Sequence, residues 1–185
     1  MATTNSRRPK AATRAESAGA PPAYPKEFHH RMYRFLKMNR LVDDRLGILY
    51  KQNEVVGGVY SSRGQEGISV ASTLAMGPDD YVGPLIRNIG SVLVKGVPPR
   101  DIFTQYMARS GGPTQGRDLN LHFTDLPRRM IGPISMLGSV IPVMVGIGLA
   151  CRAQGKPVVG LTYIGDGGSS TGECHEALNY AAVLK

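Results

Sequence analysis

Residues 158–164, Val-Val-Gly-Leu-Thr-Tyr-Ile, run directly into Gly165-Asp166-Gly167-Gly168, and this junction constrains the chain more than any other stretch. The first part is mostly apolar and rich in β-branched and aromatic residues, the pattern of a strand covered on both faces. The glycines then let the backbone turn sharply and approach a ligand closely. Residues 173–185 return to helical spacing, with Ala177, Leu178, Ala181 and Leu184 on or near one side. A helix N-terminus beside bare backbone is an anion site. Asp166, in the middle of it, would repel a phosphate unless a divalent cation stood between them. The residues therefore point to a metal-bridged diphosphate site in an α/β fold.

Three better-known glycine motifs compete for the same residues. A Walker loop requires Lys after its last glycine, and Gly172 is followed by Glu173-Cys174. A nucleophile elbow counted from Gly167 through Ser169 requires glycine where Thr171 stands. A dinucleotide fingerprint requires a third glycine where Ser170 stands. The elbow reading, an α/β-hydrolase built on Ser169, is the most distant alternative.

The net charge of +8 raises the question of nucleic acid. Arg7, Arg8, Lys10, Arg14 and Lys26 against Glu16 account for half of that excess within the first 26 residues, and the body carries no basic stripe with interleaved aromatics. No nucleic-acid partner is expected. The two cysteines, Cys151 and Cys174, lack metal or redox spacing and read as reduced thiols in helices. Cys174 and His175 are adjacent, so on a helix they point about 100° apart and form no dyad.

Residues 1–25 read as a disordered basic tail, with a transit peptide as the alternative. A first helix is expected over 26–53, with Phe28, Met32, Phe35, Leu36, Val42, Leu46 and Leu49 on one apolar face. A second spans 65–76, rich in small residues and stopped by Gly77-Pro78. A strand enters at 79–82, and helices follow over 88–95 and from Pro98-Pro99 to about residue 109. The chain is then irregular to about Ser135, a length usually reserved for function. Residues 138–154 form a helix whose Gly146, Gly148 and Ala150 would let it lie tightly against the sheet or a partner helix. Its apolar run is too short for a membrane span and holds Pro142.

Five ordered blocks extend the glycine motif: Gly64-Gln-Glu-Gly67, Pro78-Asp-Asp-Tyr-Val82 with Ile86-Arg87, Gly116-Arg-Asp-Leu-Asn-Leu-His122, Ser135-Met-Leu-Gly-Ser-Val-Ile-Pro142, and Gly165-Asp-Gly167 with Gly172-Glu-Cys-His-Glu-Ala-Leu-Asn179. Over roughly residues 26–185 they resemble the alpha subunit of the decarboxylating first component of 2-oxo acid dehydrogenases, a family with pyruvate, branched-chain and acetoin types. The resemblance implies a thiamine diphosphate-binding fold, a parallel sheet flanked by helices, and oxidative decarboxylation of a 2-oxo acid. It implies thiamine diphosphate and Mg2+ as cofactors. The implied partners are a beta subunit, a second alpha subunit in a two-alpha, two-beta assembly, and the acyltransferase core of the complex. Location would be cytoplasmic, or the mitochondrial matrix in a eukaryote.

Residue by residue, Asp166 matches the magnesium ligand, and Gly165, Gly167 and Gly168 match close backbone contacts to the cofactor. Arg87 matches the arginine that pairs with the diphosphate, a task suited to a permanently charged fork. Leu137 matches the apolar wedge that bends the cofactor, and Ser135 its neighbouring aminopyrimidine contact. His122 matches a histidine of the active-site channel, with a loop-fixing hydrogen bond as the plainer alternative. Glu66 reads as structural or interfacial, since the family's activating glutamate comes from the beta subunit.

Departures qualify the substrate. Ile86 stands where the family usually has tyrosine, and Tyr60, a substrate-side position, stands where pyruvate-type members carry histidine. Val140 replaces a common glutamine, and Ile134 offers no hydroxyl for the potassium site of some branched-chain members. Arg117, Ser135 with Leu137, and His175 with Asn179 lean toward the branched-chain type. The family's second metal ligand and catalytic histidine loop would lie beyond Lys185, so residues 26–185 are expected to be the N-terminal part of the domain, incomplete at its C-terminal side and binding cofactor weakly alone. The alternative is a non-catalytic or regulatory remnant of the same fold.

Overall fold

A computed structural model describes residues 24–184; the expected tail over 1–25 therefore lies almost wholly outside the described residues. Helix α1 (Lys26–Lys51) is the longest element. It ends where Asn53 takes the left-handed conformation (φ 59°) and Glu54 N–H donates back to the Leu49 carbonyl at 3.0 Å, a Schellman-type closure. Its inner face buries Val42 and Leu46 as expected, but also Asn39 and Asp43. Those two polar positions hold a neighbouring loop, described below.

Helix α2 (Glu66–Leu74), strand β1 (Tyr81–Gly83), helix α3 (Ile89–Val94) and helix α4 (Pro99–Tyr106) follow within two residues of their expected starts. Residues 107–139 are irregular apart from a 3-10 turn, Leu126–Arg128. Helix α5 (Val140–Ala153) leads to strand β2 (Gly160–Thr162), which pairs in parallel with β1, Tyr81 opposite Gly160 and Gly83 opposite Thr162. A 3-10 turn, Gly168–Ser170, precedes helix α6 (Gly172–Leu184). Helices around a small parallel sheet make the chain compatible with an α/β class. Among the described residues no helix is long and apolar enough to cross a membrane.

Strand alternation divides the interior in two. Val82 and Leu161 join a core with Leu46, Ile89, Leu93, Ile102 and Tyr106 from α1, α3 and α4. Each large side chain fully buried there contributes roughly 1.5–3 kcal/mol. On the other face Tyr81 joins Val140, Ile141 and Met144 of α5 and Cys174 and Ala177 of α6. Cys151 and Cys174 are buried free thiols.

The expected strand over 158–164 is shorter and less covered than its composition suggested. Only Gly160–Thr162 is strand, and Val159 and Ile164 are 62% and 40% exposed. The reason is that β2 has one paired edge, toward β1, among the described residues. Helix α6 likewise buries Cys174 and Ala177 and leaves Leu178, expected on the inner side, 57% exposed.

Close approach of α5 to the sheet comes from the strands rather than from the helix. A Cβ on Gly83 would lie 2.9 Å from Met144 Sδ and 3.0 Å from Val140 Cγ2, and one on Gly160 would lie 3.2 Å from Met144 Cε. Gly146 and Gly148, expected to provide that fit, have nothing within 4 Å of where a Cβ would be.

Candidate cofactor and substrate cavity

Four segments converge on one cavity, and each is pinned by buried polar groups. The Asp43 carboxylate accepts from Ser61 Oγ at 2.5 Å and from Ser62 N–H at 3.1 Å, while Ser62 Oγ donates to Asn39 Oδ1 at 3.2 Å. These bonds fix the loop carrying Tyr60. Glu66, at the start of α2, accepts from Arg40 Nε and from Gly64 N–H at 2.8 Å. The Arg40 hydrogen bond holds the Glu66 carboxyl below its usual pKa. Glu66 is thus structural, as its reading anticipated.

The second segment follows β1. Asn88 Oδ1 accepts from Leu85 N–H and Asn88 Nδ2 donates to Ser69 Oγ, both at 2.8 Å, which sets the turn through Ile86 and Arg87. The Arg87 guanidinium lies 5.8 Å from the Tyr60 ring centroid, a cation–π contact. Among the described residues no carboxylate pairs with Arg87, so its charge stands unneutralised by the protein.

Buried Gln105 organises the third segment: its Nε2 donates to the Asp118 carbonyl at 2.9 Å and its Oε1 accepts from Thr114 Oγ1 at 2.9 Å. Beyond it, His122 Nδ1 lies 3.1 Å from the Leu119 carbonyl and His122 Nε2 lies 3.0 Å from Ser135 Oγ. A carbonyl only accepts, so a neutral ring carries its proton on Nδ1 and accepts a hydrogen bond from the Ser135 hydroxyl at Nε2. The Asp118 carboxylate stands 3.9 Å from Nδ1. The plainer reading of His122, a loop-fixing hydrogen bond, and its place in the cavity wall are both features of this one geometry.

The fourth segment is the exit of β2. Tyr163 Oη meets Ser72 Oγ at 2.7 Å, Ser91 Oγ at 2.8 Å and Thr73 Oγ1 at 3.1 Å, tying the strand to α2 and α3 just before the glycine turn.

The cavity enclosed between these segments has a volume of about 500 Å³. Tyr60, Ile86, Arg87, His122, Ser135, Leu137, Gly165 and Asp166 are among the residues that line it. Leu137 is 60% exposed, an apolar side chain presented rather than packed. Gly167 and Gly168 do not line the cavity; Gly168 is buried, with Ile164 Cγ1 3.2 Å and Leu137 Cβ 3.4 Å from where its Cβ would stand. The turn after Asp166 is 3-10, and at the start of α6 the Thr171 side chain accepts from Cys174 N–H. The N-terminus of α6 is therefore partly capped from within. Among the described residues no group of three or more His, Cys, Asp or Glu side chains gathers to hold a metal. Asp166 contributes a single carboxylate.

Sequence reasoning passed over Asn120 and Tyr163, which also line the cavity. Asn120 lies inside a stretch singled out for its histidine, and it takes a left-handed φ of 53°, a conformation in which asparagine is enriched among non-glycine residues.

The sequence is similar to several known proteins. The chain is 31% identical over 170 residues to the alpha subunit of the acetoin:2,6-dichlorophenolindophenol oxidoreductase of Cupriavidus necator, covering 92% of this chain and 51% of that one. It is 33% identical over 156 residues to the 2-oxoisovalerate dehydrogenase subunit alpha of Bacillus subtilis, covering 83% and 47%. It is 30% identical over 155 residues to the mitochondrial pyruvate dehydrogenase E1 component subunit alpha, somatic form, of Homo sapiens, covering 84% and 39%. The chain spans about half the length or less of these curated relatives. Residues 33–185 match the family model of the dehydrogenase E1 component, and the chain belongs to that family.

Proposed function

We propose that this chain supplies the alpha-subunit part of a thiamine diphosphate-dependent enzyme that decarboxylates a 2-oxo acid oxidatively, with residues 26–185 forming the N-terminal part of a thiamine diphosphate-binding fold. The observation that carries the reading is that one cavity is lined both by an unneutralised Arg87 and by Asp166 at a bare glycine turn. A diphosphate bridged by Mg2+ needs both, a fixed cation for oxygens and a carboxylate for the metal. The donor set fits: a Cβ on Gly165, which lines the cavity, would meet nothing within 4 Å, so backbone there is approachable.

Arg87 would hold the diphosphate, Asp166 the Mg2+, and Gly165 the backbone side of the turn. Gly167 and Gly168 would shape that turn from behind it. Leu137 and Ser135 would face the cofactor's rings, and the exposed Leu137 is suited to an apolar contact. Bound thiamine diphosphate supplies the electron sink that makes loss of carbon dioxide feasible. The protein's own groups orient ligands and exclude water, with His122 and Tyr60 on the substrate side. A beta subunit, a second alpha subunit and an acyltransferase core are the proposed partners, in the cytoplasm or the mitochondrial matrix. Among substrates, Arg117, Ser135 and Leu137, with His175 and Asn179, favour the branched-chain type, while Tyr60 argues against pyruvate.

Calorimetric titration of thiamine diphosphate, with and without Mg2+, into the protein assembled with its beta-type partner tests this. Mg2+-dependent binding that Asp166→Ala abolishes is expected. Binding that ignores Mg2+ and survives Asp166→Ala overturns the metal assignment, and no binding at all favours a non-catalytic remnant of the fold.

A further inference from the structure

Tyr60 and Arg87 both line the cavity, and the chain around each is held separately. Asn88, beside Arg87, bonds the Leu85 N–H and the Ser69 hydroxyl, both at 2.8 Å. Ser61 and Ser62, which follow Tyr60, bond the Asp43 carboxylate of α1, a residue only 4% exposed. The Tyr60 ring has a backing of its own. A Cβ on Gly58 would stand 3.3 Å from Tyr60 Cε2 and 3.3 Å from Tyr60 Oη, so the ring lies close along the chain there.

What these bonds do not fix is the long Arg87 side chain. Among the described residues its guanidinium makes no hydrogen bond and no ion pair, and the Tyr60 ring, with its centroid 5.8 Å from Arg87 Cζ, is the partner that meets its charge. The kind of partner matters. A carboxylate would take up the N–H fork and cancel the charge that an anionic ligand needs. An aromatic face attracts the cation without neutralising it. It also restricts a side chain whose ordering on binding would otherwise cost entropy.

We propose that Tyr60 is a positioning residue that acts through Arg87, its ring holding the unneutralised guanidinium ready for a diphosphate; this rests on the thiamine diphosphate reading above. The anchor of the loop on Asp43 then reaches the diphosphate side of the cavity by way of the Tyr60 ring. The ring carries the effect, and the hydroxyl does not.

The quantity that tests this is the Kd of thiamine diphosphate with Mg2+, read by calorimetric titration into the protein assembled with its beta-type partner. Tyr60 is 43% exposed, so its replacement leaves the core intact. Tyr60→Leu is expected to weaken binding about threefold, the scale of an exposed cation–π contact, and Tyr60→Phe to match wild type. On an Arg87→Met background, Tyr60→Leu is expected to change nothing further, because the contact is already gone. Unchanged affinity in Tyr60→Leu overturns the proposal, including the case in which only the KM for 2-oxoisovalerate moves. An equal loss in Tyr60→Phe overturns it too, by assigning the effect to the hydroxyl. So does the same threefold loss on the Arg87→Met background, which would make the effect independent of Arg87. A wild-type protein that binds no thiamine diphosphate sinks the E1 reading and this inference with it, whereas wild-type binding with unaffected variants removes this inference alone.

Discussion

Arg40 Nε and Glu66 Oε1 meet at 2.5 Å across 26 residues of sequence, with the glutamate side chain only 8% exposed. The pair clamps the start of α2 to α1 and, through Gly64 N–H on the other carboxylate oxygen, fixes the loop that carries Tyr60. The Arg40 hydrogen bond lowers the Glu66 pKa against the opposing effect of burial. A carboxyl lowered on folding adds stability that is present above its unfolded pKa and lost as pH falls through the folded one. Wild type should therefore lose melting temperature more steeply below about pH 4.5 than Glu66→Gln, which has no such proton to bind. Parallel acid profiles by circular dichroism would show that the clamp carries no linked proton.

The contact of β1 with α5 gives a packing prediction. A Cβ on Gly83 would stand 2.9 Å from Met144 Sδ and 3.0 Å from both Met144 Cγ and Val140 Cγ2, against a buried layer. Gly83→Ala should cost about 1–3 kcal/mol, the usual range for overpacking. Met144→Ala opens a cavity of its own, costing about 2–5 kcal/mol. Combined, the two changes should destabilise by clearly less than their sum, because one removes the clash made by the other. Strict additivity in urea denaturation would show that Met144 moves aside freely.

How far the sequence carried the argument depends on the kind of relationship. Elements with local signals were legible: the apolar periodicity of α1, the Gly77-Pro78 stop after α2 and the Pro98-Pro99 start of α4 each mark a boundary by their own chemistry. The cavity residues Arg87, Ser135, Leu137, Gly165 and Asp166 were legible because ordered blocks carry them, although nothing local says that they meet. Illegible were relationships that exist only after folding. Asn39 and Asp43 interrupt an apolar face for the sake of a loop some 20 residues away. Gly83 looks like a weak strand residue until Met144 is placed over it. The coverage of β2 was overestimated because apolar β-branched composition reports what could be buried, not which neighbours are there to bury it.

Tyr163 couples the sheet to the two helices behind it. Its hydroxyl meets Ser72, Ser91 and Thr73 within 3.1 Å, and two residues later the chain enters the Gly165 turn. Tyr163→Phe keeps the ring in the core and leaves three hydroxyls to find other partners. Ser72 and Ser91 have them nearby, in the Ile68 and Ser69 carbonyls. The stability loss should therefore stay near about 1–2 kcal/mol, the scale of a net hydrogen bond with partial recovery. The local effect should be larger. Hydrogen exchange at Leu161 and Thr162 should quicken more than at Ile102 in α4, because the strand's tether to α2 and α3 is what the substitution removes. Uniform quickening would mean that Tyr163 stabilises the whole fold without holding β2 in particular.

His122 offers a test that separates its two hydrogen bonds. Its ring bridges the Leu119 carbonyl through Nδ1 and the Ser135 hydroxyl through Nε2. The amide nitrogen of asparagine can reproduce a bond made at Nδ1, and that of glutamine one made at Nε2. If the Leu119 bond fixes the loop, His122→Asn should keep most of the stability and His122→Gln should lose about 1 kcal/mol, the net worth of one hydrogen bond. Nitrogen NMR of labelled wild type should report the Nδ1-protonated tautomer for the neutral ring, and Ser135→Ala should leave that tautomer in place, since Leu119 rather than Ser135 selects it. An Nε2-protonated ring would reverse both expectations: Ser135 would then be the acceptor, and its own proton would be free for the cavity.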